Sequence, residues 1–367
     1  VIDEGDEFLD QFLVEGSLHL PMVLNELKFL PIIDSHQREL VEELQVLVLE
    51  AMQSLPSFLN KNHESILPLK ETPLFPIVKL LCRGEFSYIT DDESYLERCF
   101  ELCRKFNGLF DDTYAYISKE QDGKKEIITR LITLNLQKAV QSLAERNNAL
   151  VFMSGTLHDP LVLQELFGIH DLNIVEAETN LQGRLTKIYT GLEAEFTFEN
   201  MRNGKYSREQ YLHALQACIL RGEKPMVVHI TAFYDLPTFD EKKKFNLHAL
   251  ITQEELKDEQ ENDSEGNIVQ AFKRGEKEIL FTTRCNRGID FPMSICNSIV
   301  ITRFPYPPLE GLFWKVLKKQ KPGLFWHVYK DKAHRDLLQK IYRSIRSKDD
   351  HVYLLSPDSR VLNVEIV

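Results

Sequence analysis

Arg343 and Arg346 stand three residues apart, a spacing that puts both guanidinium groups on one side of a helix. Two arginines aimed at one spot suit a polyphosphate whose charge grows as a phosphoryl group is transferred. Gln339 stands four residues before Arg343. Upstream, Arg284 and Arg287 can reach phosphate oxygens, and Gly288 permits the tight backbone approach that a loop pressed against phosphate needs. Asp290 can accept from a ribose hydroxyl or from one of the two arginines. The plain alternative for this loop is an ordinary turn from strand to helix. Elsewhere, Ser154-Gly155-Thr156 groups small hydroxyl residues, with helix capping by Thr156 or Asp159 as the plain alternative. Asp3-Glu4 taken alone is a solvated acidic terminus.

These groups need elements to hold them. The apolar runs at 279–281 and 298–301 and the segment 351–355 read as strands, and 331–346 reads as a helix carrying both arginines. Strand, Gly-containing loop, strand, helix and strand make the C-terminal half of a RecA-like α/β domain. The continuous apolar run 149–153 reads as a buried strand, with Ser154 at its C-terminal end, where open α/β sheets bind ligands. A second domain begins near residue 173, with strands at 187–190 and 224–230 and a helix at 207–221 stopped by Gly222. Thr231 follows the second of these strands. Residues 254–266 read as a solvated acidic loop and 267–274 as a short helix. Residues 11–147 read as mainly helical: 37–55 and 94–106 have apolar residues at helical spacing, Pro68, Pro73 and Pro76 punctuate a loop, and 126–134 is one returning strand.

The motifs resemble one family. Arg287-Gly288-Ile289-Asp290-Phe291 resembles helicase motif V, the Gln339, Arg343 and Arg346 spacing resembles motif VI, and Ser154-Gly155-Thr156-Leu157 resembles motif III. Val1-Ile2-Asp3-Glu4-Gly5-Asp6 resembles a Walker B or DEAH box. In this order they are similar to the XPD/DinG family of superfamily 2 DNA helicases. The resemblance implies a C-terminal portion of such a motor: remnants of the first RecA-like domain at 1–10 and 148–172, an arch-like insertion at 11–147 and the second RecA-like domain at 173–367. It implies ATP and Mg2+ as cofactors, with Asp3 holding magnesium through water and Glu4 orienting the attacking water. Gln339, Gly288 and Asp290 would contact the nucleotide, while Arg343 and Arg346 would stabilise the transferred group. Ser154, Gly155 and Thr156 would couple hydrolysis to movement, and Thr231, Arg284 and Arg287 would touch the nucleic-acid backbone. Single-stranded DNA and a missing N-terminal motor half are the implied partners, in repair or replication. An iron–sulfur cluster, common in relatives, would belong upstream. Three positions depart from the family pattern: Gly5 for Ala, Asp6 for His, and Tyr342 for Gly. The His normally links nucleotide site and coupling motif, so Asp6 puts that link in question. With no Gly-x-x-x-x-Gly-Lys-Ser/Thr anywhere, the chain alone is expected not to hydrolyse ATP. The rival reading is a degenerate, non-catalytic module that binds nucleic acid or a partner protein.

Composition bounds the rest. The chain has 367 residues, 43% of them hydrophobic and 27% charged, as in ordinary soluble proteins. No apolar run approaches the roughly 20 residues of a membrane helix. Six cysteines without a Cys-x-x-Cys pattern suit reduced thiols and an intracellular, cytoplasmic or nuclear protein. Net charge is −12, yet residues 264–350 hold 17 Lys+Arg against 9 Asp+Glu. That basic excess fits a nucleic-acid-facing lobe or a solvated face. Trp314, Phe325, Trp326 and Tyr329 lie among Lys315, Lys318, Lys319, Lys321 and Lys330, a mixture that suits base stacking or plain packing. No cluster of carboxylates and histidines suits a nuclease.

Overall fold

A computed structural model describes residues 1–32, 34–83, 94–119, 126–175, 183–263, 266–283 and 289–365. The chain divides into two compact units, Val1–Leu172 with Pro308–Val328, and Asn173–Pro307 with Tyr329–Val367. The segment Pro308–Val328 thus goes with the first unit, although it interrupts the sequence of the second.

The first unit is mainly helical, as expected, but it holds more strand than the one returning segment read at 126–134. It contains a four-stranded antiparallel sheet of β1 (Glu15–Ser17), β2 (Glu64–Pro68), β3 (Thr113–Lys119) and β4 (Ile127–Thr133), in the order β1-β4-β3-β2. Along β3, Thr113, Ala115 and Ile117 are buried while Tyr114 and Tyr116 are half-buried, the alternation of a sheet covered on one face. Ala115, Ile117 and Leu131 join a core with Leu44, Val48, Ile77, Val78, Phe100 and Phe106 from the helices. The helix Ser35–Ser54 starts where the Asp34 carboxylate accepts from the Gln37 N–H, and Tyr95–Lys105 starts on Ser94 in the same way. The helix Leu312–Gln320 fastens to the edge strand β2: Lys315 pairs with Glu64 at 3.0 Å and Lys319 donates to the Ile66 carbonyl at 2.7 Å. Those two lysines are therefore occupied with protein, and Phe325 is buried against the edge of Trp314.

The second unit is a parallel sheet of β5 (Arg184–Lys187), β6 (Met226–His229), β7 (Ile279–Thr282), β8 (Ser298–Ile301) and β9 (His351–Leu355), ordered β5-β9-β8-β6-β7. Both faces are covered. Val228 and Val300 face a core with Tyr211, Leu215 and Ile219 of the helix Arg208–Arg221. Val227, Ile299 and Ile301 face another with Leu337 and Ile341 of the helix Pro322–Tyr342. Arg208–Arg221 opens with reciprocal bonds between Ser207 and Gln210. The acidic stretch expected to be a loop forms the helix Gln253–Asn262, because Thr252 and Glu255 cap each other in the same way.

His229 lies in β6 at 2% exposure, and its Nε2 has no hydrogen-bond partner among the described residues. Burial, and then the charge of Lys340, holds its pKa down at about 3 from 6.5. It stays neutral in the fold, whereas the unfolded chain takes up a proton below about pH 6.5. Stability should therefore fall as pH drops from 6.5 towards 3, by about 2 kcal/mol at pH 5 from this group alone. His229→Leu should flatten the pH dependence of the melting temperature between pH 7 and 5 (urea or thermal melts); an unchanged slope would show that His229 is not its source.

Candidate functional site

The functional residues fall into two groups, one on each unit. In the first unit, Ile2 pairs with Phe152 as a single parallel bridge, through Ile2 N–H to Val151 O at 2.7 Å and Met153 N–H to Ile2 O at 2.8 Å. The run expected to be a buried strand forms just this isolated bridge among the described residues, with Gly5 N–H also donating to Met153 O at 2.9 Å, and Val151 and Met153 are each 48% exposed. Asp3 and Glu4 follow at the surface, with the Asp3 carboxylate accepting from the Glu4 N–H at 3.0 Å. Glu4 turns the chain in the left-handed region, φ 49° and ψ 48°, into the helix Gly5–Asp10. At Gly5 the backbone passes so close to Phe152 that a Cβ would lie 2.8 Å from the Phe152 Cβ, so only glycine fits without a shift.

The next residue corrects the sequence reading. Asp6 is fully buried, and its two carboxylate oxygens accept from Ser154 Oγ at 2.7 Å and Thr156 Oγ1 at 3.2 Å. Ser154 Oγ also accepts from the Thr156 N–H at 3.1 Å. Asp6, standing where the family pattern has His, thus contacts the Ser154-Gly155-Thr156 segment directly. The signal was present: a carboxylate beside an acidic pair, and a Ser-Gly-Thr segment able to donate twice to it. Gly155 lies exposed between the two hydroxyl residues with nothing near its Cβ position. Beyond them His158, 4% exposed, meets Asp10 through Nε2 at 3.3 Å.

In the second unit, Asp290 receives both arginines. Arg343 Nη1 lies 3.0 Å from its Oδ1, and Arg346 Nη2 bonds the same oxygen. Burial pushes the Asp290 pKa up, but the hydrogen bonds and charges of Arg346 and Arg343 outweigh it and hold the carboxyl below the usual range. The helix ends at Tyr342, so neither arginine is on it; they lie in the turn that follows. Their meeting is arranged instead by backbone and by Asp350. Phe291 N–H donates to Arg343 O at 2.8 Å, and the buried Asp350 carboxylate accepts from the N–H groups of Arg346 and Ser347, both at 2.6 Å. Asp350 went unnoticed in the sequence, where Asp349-Asp350 looks like solvated charge. The Arg343 side chain is 11% exposed and that of Arg346 43%. Gln339 sits half-buried on the last turn of Pro322–Tyr342.

Thr231 is tied to the loop after β8: its N–H donates to Thr302 Oγ1 at 2.9 Å and its hydroxyl to Arg303 O at 3.0 Å. That hydroxyl proton is spent on protein, which works against the expected phosphate contact. Arg284, Arg287 and Gly288 lie outside the described residues.

Residues 219–366 match the family described as Helicase C-terminal domain. Among solved structures it is similar to one titled XPD_Helicase, with 14% identity and a TM-score of 0.51, over 99% of this chain and 65% of that one. It is also similar to the structure of S. tokodaii Xpd4, with 16% identity and a TM-score of 0.56, over 98% of this chain and 71% of that one. The fold of those two structures thus extends through nearly all of this chain, which spans about two thirds of their length. No curated protein matches it. Asp290, Arg343, Arg346 and Asp350 all lie within the matched residues 219–366, whereas Asp6, Ser154 and Thr156 lie before them. Among the described residues no helix is long and apolar enough to cross a membrane, and no group of three or more His, Cys, Asp or Glu could hold a metal ion.

Proposed function

We propose that this chain is the C-terminal part of an ATP-dependent DNA helicase that couples ATP hydrolysis to translocation on single-stranded DNA and to duplex unwinding. The observation that carries this reading is the convergence of Arg343 and Arg346 on Asp290 inside a helicase C-terminal domain. Two guanidinium groups converge on one carboxylate, a set of fork-like donors suited to a polyphosphate. Arg343 is the buried anchor, and Arg346 is exposed enough to turn from Asp290 to a phosphoryl oxygen. Bound ATP and magnesium would supply the phosphoryl group and its metal bridge. Asp3 and Glu4 fit that pair, being exposed oxygen donors with free access to water, as a hydrated magnesium ion requires. Asp3 would hold the ion through water, and Glu4 would orient the attacking water. Asp6 then ties this segment to Ser154 and Thr156, so a shift at the carboxylates reaches the coupling segment through a rigid link.

The non-catalytic alternative drew support from Asp6 and Tyr342 as departures from pattern. The contacts of Asp6 with Ser154 and Thr156 weigh against the first of these.

The 367-residue chain contains no Gly-x-x-x-x-Gly-Lys-Ser/Thr and so lacks the backbone cradle for the β and γ phosphates. Alone it should bind single-stranded DNA but release no phosphate from ATP. Joined to a motor half that supplies the cradle, it should show DNA-stimulated release. Turnover by the chain alone, abolished by Arg346→Ala, would refute this division of labour. Absence of DNA binding by the chain would count against the helicase reading itself.

A further inference from the structure

We propose that the loop after β6 is a stacking platform for one nucleobase of single-stranded DNA, with Tyr234 as the ring that the base covers. This deepens, and rests on, the helicase reading above. Tyr234 is 56% exposed, and the Arg208 guanidinium lies 4.3 Å from its ring centroid. Arg208 cannot swing away: Glu241 grips it through two bonds at 3.1 and 3.2 Å, and the Leu236 carbonyl accepts a third at 2.7 Å. A second guanidinium, Arg303, stands 5.9 Å from Tyr234 and 4.5 Å from the ring of Tyr211, which has no exposure at all. Arg303 is fixed in turn by Asp235, 2.7 Å away and 1% exposed. Rings and guanidinium groups thus form a ladder rooted in the core and ending on an exposed tyrosine face.

The charges say which part of a strand this ladder suits. Arg208 is matched by Glu241 and Arg303 by Asp235, so the platform offers polarised π surface without net charge to attract phosphate. The Thr231 hydroxyl of the same loop is already spent on the Arg303 carbonyl. An exposed cation waits beside it: Lys257 Nζ lies 5.4 Å from the ring of Phe233, the neighbour of Tyr234. A base on Tyr234 with the next phosphate near Lys257 satisfies both. Position agrees. In the order β5-β9-β8-β6-β7 the chain leaves β6 towards β7 and returns to β8 on the other side. The crevice outside the C-terminal ends of β6 and β8 is therefore a topological switch point, where open α/β sheets bind ligands. The loops carrying Tyr234 and Arg303 emerge there.

The test compares the affinity of the 367-residue chain for a fluorescent oligothymidylate with that for the same backbone made of abasic units. The wild type should bind the abasic strand more weakly. Tyr234→Ala should weaken oligothymidylate binding about tenfold and leave abasic binding unchanged, while Tyr234→Phe should stay within about twofold of wild type. Equal binding of oligothymidylate by wild type and Tyr234→Ala overturns the platform; a ring that serves a protein partner gives this result. Equal losses on both strands also overturn it, because they mark a backbone or folding effect. A wild type that binds neither strand removes the helicase reading and the platform together.

Discussion

Arg346→Ala, in the chain joined to a motor half that supplies the phosphate cradle, should lower the rate of ATP hydrolysis about a thousandfold while barely moving the melting temperature. An arginine that stabilises charge on a transferred phosphoryl group is worth on the order of a thousandfold or more in rate. The Arg346 side chain is 43% exposed, so its ion pair with Asp290 is screened and contributes little to folding. Arg343→Ala should also abolish turnover, but with a structural cost of about 2 kcal/mol. Its side chain is 11% exposed, and removing it leaves part of the Asp290 carboxylate without its inner partner. Lysine should rescue neither fully, because an ammonium cannot reproduce the planar fork. Steady-state phosphate release and thermal melts on the same preparations separate the two roles. If both alanine variants lose stability equally and Arg346→Ala keeps wild-type turnover, the pair is structural and the assignment of Arg346 to the phosphoryl group is wrong.

Asp6→Ala should cost the first unit about 3 kcal/mol and erase stimulation of hydrolysis by DNA. The carboxylate is fully buried and accepts from two hydroxyl groups, and hydrogen bonds to a charged acceptor contribute about 1.5–3 kcal/mol each. Truncation removes the acceptor and leaves the Ser154 and Thr156 hydroxyls to find other partners. Asp6→Asn keeps one oxygen and should retain part of the stimulation. A double-mutant cycle with Ser154→Ala should show strong non-additivity, since both changes delete the same bond. Basal hydrolysis measured without DNA serves as the control, because the Asp6 carboxylate bonds Ser154 and Thr156 in the interior while Asp3 and Glu4 stand at the surface. Additive effects, or full DNA stimulation in Asp6→Ala, would mean that the Asp6 link carries no coupling.

In the second unit β6 and β8 were legible as continuous apolar runs and the helix Arg208–Arg221 by its start and stop signals, whereas β5 (Arg184–Lys187), charged at both ends, precedes the strand expected at 187–190 and overlaps it only at Lys187. The arginines were legible as a pair but not in their geometry. Their spacing suggested a helix face, yet the helix stops at Tyr342 without a glycine or proline to announce it, and Asp350, four residues past Arg346, shapes the turn. Of the antiparallel sheet of the first unit, β4 was legible in the strand expected at 126–134, and the other three strands were missed for a different reason. β1 has three residues, β2 ends on a proline, and β3 alternates Ala and Ile with half-buried tyrosines, so none presents a continuous apolar stretch. The allegiance of Pro308–Val328 is not local information at all: it is carried by Lys315 on Glu64 and Lys319 on Ile66, residues some 250 positions away. Nothing local marks Tyr234: what distinguishes it is Arg208, 26 positions earlier, held against its ring by Glu241.

Gly5 and Asp6 bear on how such a sequence can change. The close approach of Gly5 to Phe152 lowers the whole turn onto that strand, and this brings a short carboxylate within reach of Ser154 and Thr156. An alanine at position 5 would lift the turn, and Asp6 would then fall short; a histidine at position 6 without that lift would have no room in a fully enclosed space. Each substitution is harmful on the background of the other's absence. The two positions are therefore epistatic, and a chimera that restores Ala and His should exchange both together or neither.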